Sequence, residues 1–341
     1  MGRNCLRVQA SDFWRLKGES ADKAQQTRRE QTATSNPIGS EIAFYIVTHA
    51  IPVIILLGPY EALCSMLKSP PHAAWLVHND KPLKTRNGRP VQVVEFSHQQ
   101  DEAVLSAWAK HFRENYCLDT EIDALRAGTG LSRAEYLTQL VFPNRTNPGP
   151  AVRAGDFAEI LVSDYFEFTH GYTVPRTRYR YKGSPNESTK GSDLLAFKLA
   201  GVLGANEPTD SPEDALLCVE VKAQFTGTYD KEALQEAIKD SPKDELRKSI
   251  SLNATKQRLL AENNTAQSQL VERFQNVNDR PYKNLMAAAA VYCTNVFVEQ
   301  TVGNASTKDH PQSKAVQLLV LRGKDMMNLV HHLYGRAADE A

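Results

Sequence analysis

The stretch Leu216–Gln224, "LLCVEVKAQ", decides how the rest of the chain is read. In an extended segment successive side chains alternate between two faces. Leu217, Val219, Val221 and Ala223 then point into a core, while Cys218, Glu220, Lys222 and Gln224 point the other way. A glutamate and a lysine sharing one face of so apolar a strand have two readings. They form a salt bridge on a solvated surface, or they belong to a chemical site.

The neighbouring segments supply the context. Gly191–Leu199, "GSDLLAFKL", reads as a strand carrying Asp193, joined to the first stretch by a loop rich in Gly, Pro, Asn and Asp. Before it, "YTVPRTRYRYK" alternates as a further strand, and "GDFAEILVSDYFEF" (Gly155–Phe168) reads as a helix with a polar stripe at Asp156, Glu159, Ser163 and Glu167. Downstream lie a polar helical region over about 231–276, a buried strand in "MAAAAVYCTNVFV", another in "AVQLLVLRG", and a closing helix in "DMMNLVHHLYGRA". The order is α–β–β–β–α–β with a final β–α. It predicts an α/β fold with a mixed sheet flanked by helices.

The other segments frame this unit. Residues 1–36 are polar and charged and predict a poorly ordered segment. Residues 37–145 predict an N-terminal α+β domain. Its "VQVVEFS" alternates as a strand, "DEAVLSAWAKHFRENYC" is helical, and Ser132 and Glu135 have capping-box spacing. The cluster of Pro, Gly and Asn in "PNRTNPGPAVRAGD" (Pro143–Asp156) predicts a linker, so the second domain spans 146–341. The most apolar window, Ile42–Gly58, is interrupted by His49 and Pro52 and falls short of the ~20 residues of a membrane span. It reads as core, and no membrane partner is expected.

With 341 residues, 41% hydrophobic and 23% charged, the composition is that of an ordinary globular protein. The formal net charge of zero means that any grip on nucleic acid comes from a local patch. The five cysteines are scattered and show neither a disulfide framework nor zinc-site spacing, which fits a reducing cytoplasm.

Folding the Asp193 and Glu220 strands as antiparallel neighbours brings their polar faces together. Two carboxylates in close quarters repel unless a cation neutralises them, and the natural one is a hard divalent ion, Mg²⁺ or alternatively Mn²⁺. Such an ion polarises a scissile phosphate and activates water, and Lys222 beside it would hold the water or the phosphate for attack. Glu159 on the preceding helix would add a further carboxylate, or belong to a plain polar helix face. Arg176, Arg178, Arg180 and Lys182 share one face of the first strand. They would contact a phosphate backbone, or guard a strand edge against pairing. Gln224 shares the charged face, to meet nucleic acid or to bond locally. Lys243, Arg247, Lys248, Lys256 and Arg258 in the long helical region would line a substrate groove, or form a solvated face paired with Asp240, Asp244 and Glu245.

A helix glutamate, then Asp193, then Glu220-x-Lys222 on a hairpin resembles the PD-(D/E)xK nuclease superfamily, with Ser192 standing where proline precedes the aspartate in the pattern. The resemblance implies a restriction-endonuclease-like αβββαβ core, with Asp193, Glu220 and Glu159 on the metal and Lys222 as the catalytic lysine. More narrowly, "GDFAEILVSDYFEF", "GYTVPRTRYR" and "NESTKGSDLLAFK" are similar to the HamA/AbpA C-terminal domain family, nuclease subunits of Hachiman-type anti-phage systems. That likeness covers about residues 101–298. It implies a cytoplasmic deoxyribonuclease working beside a superfamily-2 helicase. The alternatives are a catalytically inactive DNA- or partner-binding module of the same fold, and a stand-alone restriction endonuclease.

Overall fold

The computed structural model describes residues 69–79, 81–200, 210–227 and 232–341, so the expectations for 1–36 and for Ile42–Gly58 lie outside the described residues. The chain divides into a unit ending at Ile55 and a unit beginning at Leu56, and every described residue belongs to the second.

A seven-stranded mixed sheet forms its centre. In chain order the strands are β1 (Leu76–His78), β2 (Leu83–Lys84), β3 (Pro90–Phe96), β4 (Leu194–Lys198), β5 (Ala215–Gln224), β6 (Lys283–Cys293) and β7 (Gln317–Gly323). The spatial order is β1-β3-β7-β6-β5-β4, with β2 also on β3. The four middle strands run parallel, and β1 and β4 close the two sides antiparallel. Parallel strands joined by helical crossovers are covered on both faces. Accordingly, β5 is buried along most of its length.

The helices are α1 (Glu102–Arg113), α2 (Ile122–Arg126), α3 (Arg133–Tyr136), α4 (Gly149–Asp164), α5 (Ala233–Asp240), α6 (Asp244–Ala261), α7 (Thr265–Arg273), α8 (Glu299–Asn304) and α9 (Met326–Asp339). One face of the sheet packs Val219, Val221, Ala289 and Leu321 against Trp108 of α1, Phe157 and Leu161 of α4, and Tyr334 of α9. On the other face, Val93, Ala288 and Val320 meet Leu234 and Ile238 of α5. Leu195, Phe197, Leu216 and Cys218 meet Leu252 of α6 and Val271 of α7. The alternation in "LLCVEVKAQ" therefore holds. Its odd-numbered residues enter one core, and its even-numbered residues begin in a second core before turning charged at Glu220.

Four expectations need correction. First, the boundary after residue 145 does not divide the sheet, because β3 pairs with β7 in parallel, Gln92 opposite Leu319. Second, the expected linker is partly helix. α4 begins at Gly149 with Pro150 in its first turn, where the absent N–H costs nothing. Third, "YTVPRTRYRYK" is not a strand. Thr173 alone bridges Phe197, and the segment then turns, with Tyr181 left-handed at φ 61°. Pro175 offers no N–H to a ladder and restrains Val174, and the cations that follow are drawn to carboxylates on different elements. The αβββαβ order is thus observed without its first strand. Fourth, the polar region over 231–276 is three helices. Pro242 marks the first break, and Asn263 (φ 56°) with the Asn264 cap forms the second. The capping box at Ser132 and Glu135 is present as expected.

Candidate active site

The β4–β5 pairing sets the site. Leu194 lies opposite Val219, so Asp193, one residue earlier, falls across from Glu220. The Val221 N–H donates to Asp193 Oδ2 at 2.9 Å, which fixes the carboxylate against β5. Two residues along, Lys222 Nζ donates to Glu220 Oε1 at 2.6 Å and lies 2.9 Å from Asp240 Oδ2 at the end of α5. Burial works against the Lys222 charge, but the hydrogen bonds to Glu220 and Asp240 outweigh it and raise its pKa. Lys222 is therefore an ammonium at working pH, a donor and not a base. Asp240 had no role in the sequence reading beyond a surface pair.

Arg178 occupies the space on the other side of Asp193. Its guanidinium donates to Glu159 Oε2 at 2.6 Å, to Asp193 Oδ1 at 2.8 Å and to the Thr189 carbonyl at 3.1 Å, and also to the Ser192 carbonyl. The Tyr179 hydroxyl donates to the same Glu159 oxygen at 2.5 Å. Glu159 thus faces Arg178 and Tyr179, and it meets Asp193 through the guanidinium. Burial above all, with the charges of Glu159 and Glu220, pushes Asp193 up to about 8 despite Arg178. The arrangement holds more negative charge than its cations neutralise.

A third carboxylate closes the group. Asp244, the first residue of α6, is fully buried. Burial, Glu220 and Asp193 push its pKa up to about 7, against the opposing effects of the Ser192 hydroxyl and Arg247. The same helix lays Arg247 Nη1 3.7 Å from Glu220 Oε2 and the Ser251 hydroxyl 3.0 Å from the Ser192 N–H. Asp244, Arg247 and Ser251 at i, i+3 and i+7 form one helical face directed at the Ser192–Asp193 turn and Glu220. That spacing is legible in the sequence, where it fits a substrate groove and a solvated helix face alike.

The expected row of four cations does not form. Arg176 is engaged by Glu167 and Asp164, Arg178 by Glu159 and Asp193, Arg180 by Glu262 and the Glu114 carbonyl, and Lys182 by Asp156. Each is largely buried in these pairs, as carboxylates on several elements each claim one. Gln224 is buried near the end of β5, at the same alternating positions as Glu220 and Lys222.

Glu220 Oε2 is buried without a hydrogen bond, with Arg247 Nη1 3.7 Å away. Buried acceptors of this kind call for a cation. Asp193 and Glu220, opposite each other across the β4–β5 pair, are oxygen donors of the type a hard divalent ion takes, so the residues present fit one. A contrasting group lies elsewhere. His72, His111 and Asp164 have ligand atoms within 4.8 Å of one another, the one such set of three among the described residues. There Asp164 already accepts from His72 and His111 at 2.9 Å each and from Arg176 at 2.8 Å. Its charge is fully matched by those donors.

No helix among the described residues is long and apolar enough to cross a membrane. A search of curated proteins returns no match. The HamA family model matches residues 71–337, a span that takes in the whole sheet and every residue of the site. The chain belongs to the HamA family and is a Hachiman defence-associated protein.

Proposed function

We propose that this protein is a metal-dependent deoxyribonuclease of the PD-(D/E)xK type, the effector of a Hachiman defence system that acts with a superfamily-2 helicase. The observation that carries the reading is the placement of Asp193 opposite Glu220 across the β4–β5 pair, with Lys222 beside them. Asp193 and Glu220 would hold Mg²⁺ or Mn²⁺, which supplies Lewis acidity at the scissile phosphate when bound. Lys222, held as an ammonium, donates to a phosphate oxygen or to the attacking water and stabilises developing negative charge. Arg178 fixes Asp193 in place and is itself fixed by Glu159, so Glu159 acts through Arg178. Because the chain has no net charge, DNA is drawn in by no global field, and delivery by a helicase suits it.

The test is degradation of linear and circular DNA with Mg²⁺, with and without the helicase partner, comparing wild type with Glu220→Gln. Loss of degradation in the variant supports hydrolysis at this site. Equal degradation by both proteins, or protection of cells by Glu220→Gln at the wild-type level, overturns it. Discrete fragments from the protein alone would point to a restriction endonuclease.

A further inference from the structure

We propose that the recess between α6 and residues 174–179, on the Arg178 side of Asp193, is a phosphate subsite. It takes a phosphate of the DNA strand beside the scissile one, held by Arg258 and Lys190. This deepens the nuclease reading above and rests on it.

The recess is a cavity of about 60 Å³, several times the ~10–15 Å³ that one water needs, and so of a size for a phosphate group. Among the described residues, Asp193 is the one carboxylate on its wall. Both Asp193 oxygens are already engaged, by Arg178 and by the Val221 N–H. Arg176, Arg178, Lys190 and Arg258 line the same cavity. From α6, Ser251, Thr255 and Arg258 reach it at i, i+4 and i+7, which is one helical face.

Most cations near the site are already paired. On and beside α6, Lys243 lies 2.5 Å from Asp240, Lys248 3.2 Å from Glu245, Lys256 2.6 Å from Glu272 and Arg247 3.7 Å from Glu220. Arg178 is held by Glu159 and Asp193. Arg258 and Lys190 differ: among the described residues neither forms an ion pair or a side-chain hydrogen bond. Arg258 is half-buried, and burial and the charge of Arg178 work against its own. Glu262 acts in its favour, but the Glu262 carboxylate is already paired with Arg180. Arg176 adds a buried Nη1 without a hydrogen bond.

A half-buried cation turned toward another cation costs stability unless an anion is to be held there. A guanidinium grips two oxygens of a phosphate, and an ammonium beside it acts as a point charge. Free phosphate has the same chemistry. A strand is favoured because Asp193 belongs both to this wall and to the proposed metal site, so the two phosphates would follow one another on one chain.

The experiment is fluorescence anisotropy of a labelled single-stranded deoxyoligonucleotide, the form a helicase would release. The full chain is titrated without divalent ion over a range of salt concentrations. Wild type is compared with Arg258→Gln, Lys190→Gln, the double variant, and Lys256→Gln as a control whose ammonium is paired with Glu272. Arg258→Gln should weaken binding roughly tenfold, the loss of one charged hydrogen-bond donor. In the double variant the plot of log affinity against log salt should flatten by about 0.7, one phosphate on a single strand. Lys256→Gln should match wild type, and Arg258→Lys should restore part of the affinity. Wild-type affinity and salt slope in the double variant overturn the subsite, as does the absence of binding by wild type at low salt. A lowered thermal midpoint in Arg258→Gln with unchanged DNA affinity assigns Arg258 to Glu262 and overturns it too. Inorganic phosphate bound by wild type and lost in the double variant, with DNA binding unchanged, makes the recess a site for the free ion and overturns the strand. Failure of the nuclease reading is separate, since it is read from degradation by Glu220→Gln and not from binding.

Discussion

Lys222 donates to Glu220 at 2.6 Å, two residues apart on one strand, and the carboxylate end of this pair is buried. A solvated salt bridge of this kind would be worth little. Here the glutamate is 4% exposed at its side chain and the lysine 27%, so one partner is enclosed while the other reaches the surface. The ammonium, and not the enclosed carboxylate, is the member of the pair that an anion from solvent can meet.

Replacing Lys222 by Met removes this donor but keeps the stem that packs along β5. DNA degradation should fall about 100-fold or more, the usual effect of losing one donor to a transition-state oxygen. Asp240→Asn, which loosens Lys222 without removing it, should cost less. Rates under single-turnover conditions check both. Equal activity of Lys222→Met and wild type would remove Lys222 from the chemistry.

Arg178→Met should be strongly destabilising. It leaves Glu159 and Asp193 buried beside each other with their shared cation gone. Breaking a buried pair by removing one partner costs about 3–5 kcal/mol. Denaturant unfolding measures the loss, and a second change, Glu159→Gln, should recover part of it. A loss no larger than that of an exposed arginine would contradict the clamp.

Stability should fall as the solution is acidified, in two stages. Burial lowers the pKa of His72, so the unfolded chain takes up this proton first, near its ordinary pKa of about 6.5. Asp164 resists protonation in the fold even though burial works against its charge, because Arg176, His111 and His72 hold it well below the carboxylate range. Its contribution is present above an unfolded pKa of about 3.9 and is lost as pH falls through and below that value. Thermal midpoints between pH 8 and pH 3 should show both losses. His72→Gln should flatten the upper one and Asp164→Asn the lower.

Gly191→Ala should impair the site through the backbone. Gly191 has φ 108°, and a Cβ there would stand 2.7 Å from the Ser251 hydroxyl that bonds the Ser192 N–H. A left-handed strained residue costs about 1–3 kcal/mol. The expected outcome is a lower unfolding midpoint and a fall in activity exceeding that of an alanine at Gly183. There the nearest atom is the end of the Glu187 side chain at 3.4 Å.

The sequence by itself determined the alternation of β5 and the closing β7 and α9. These are set by periods of two and 3.6, which side chains report directly. It also grouped Asp193, Glu220 and Lys222 through their motif, while the register that sets Asp193 across from Glu220 came from the β4–β5 pairing. Tertiary structure decided what local pattern cannot express. Arg176, Arg178, Arg180 and Lys182 alternate like a strand, yet each is claimed by a carboxylate distant in sequence, so the backbone turns where the spacing suggested extension. Asp244 reads as one more charge on a polar helix, and its neighbours Lys243 and Lys248 invite that reading. Only the tertiary packing of α6 buries it, and burial pushes its pKa up, which no spacing in the sequence reports.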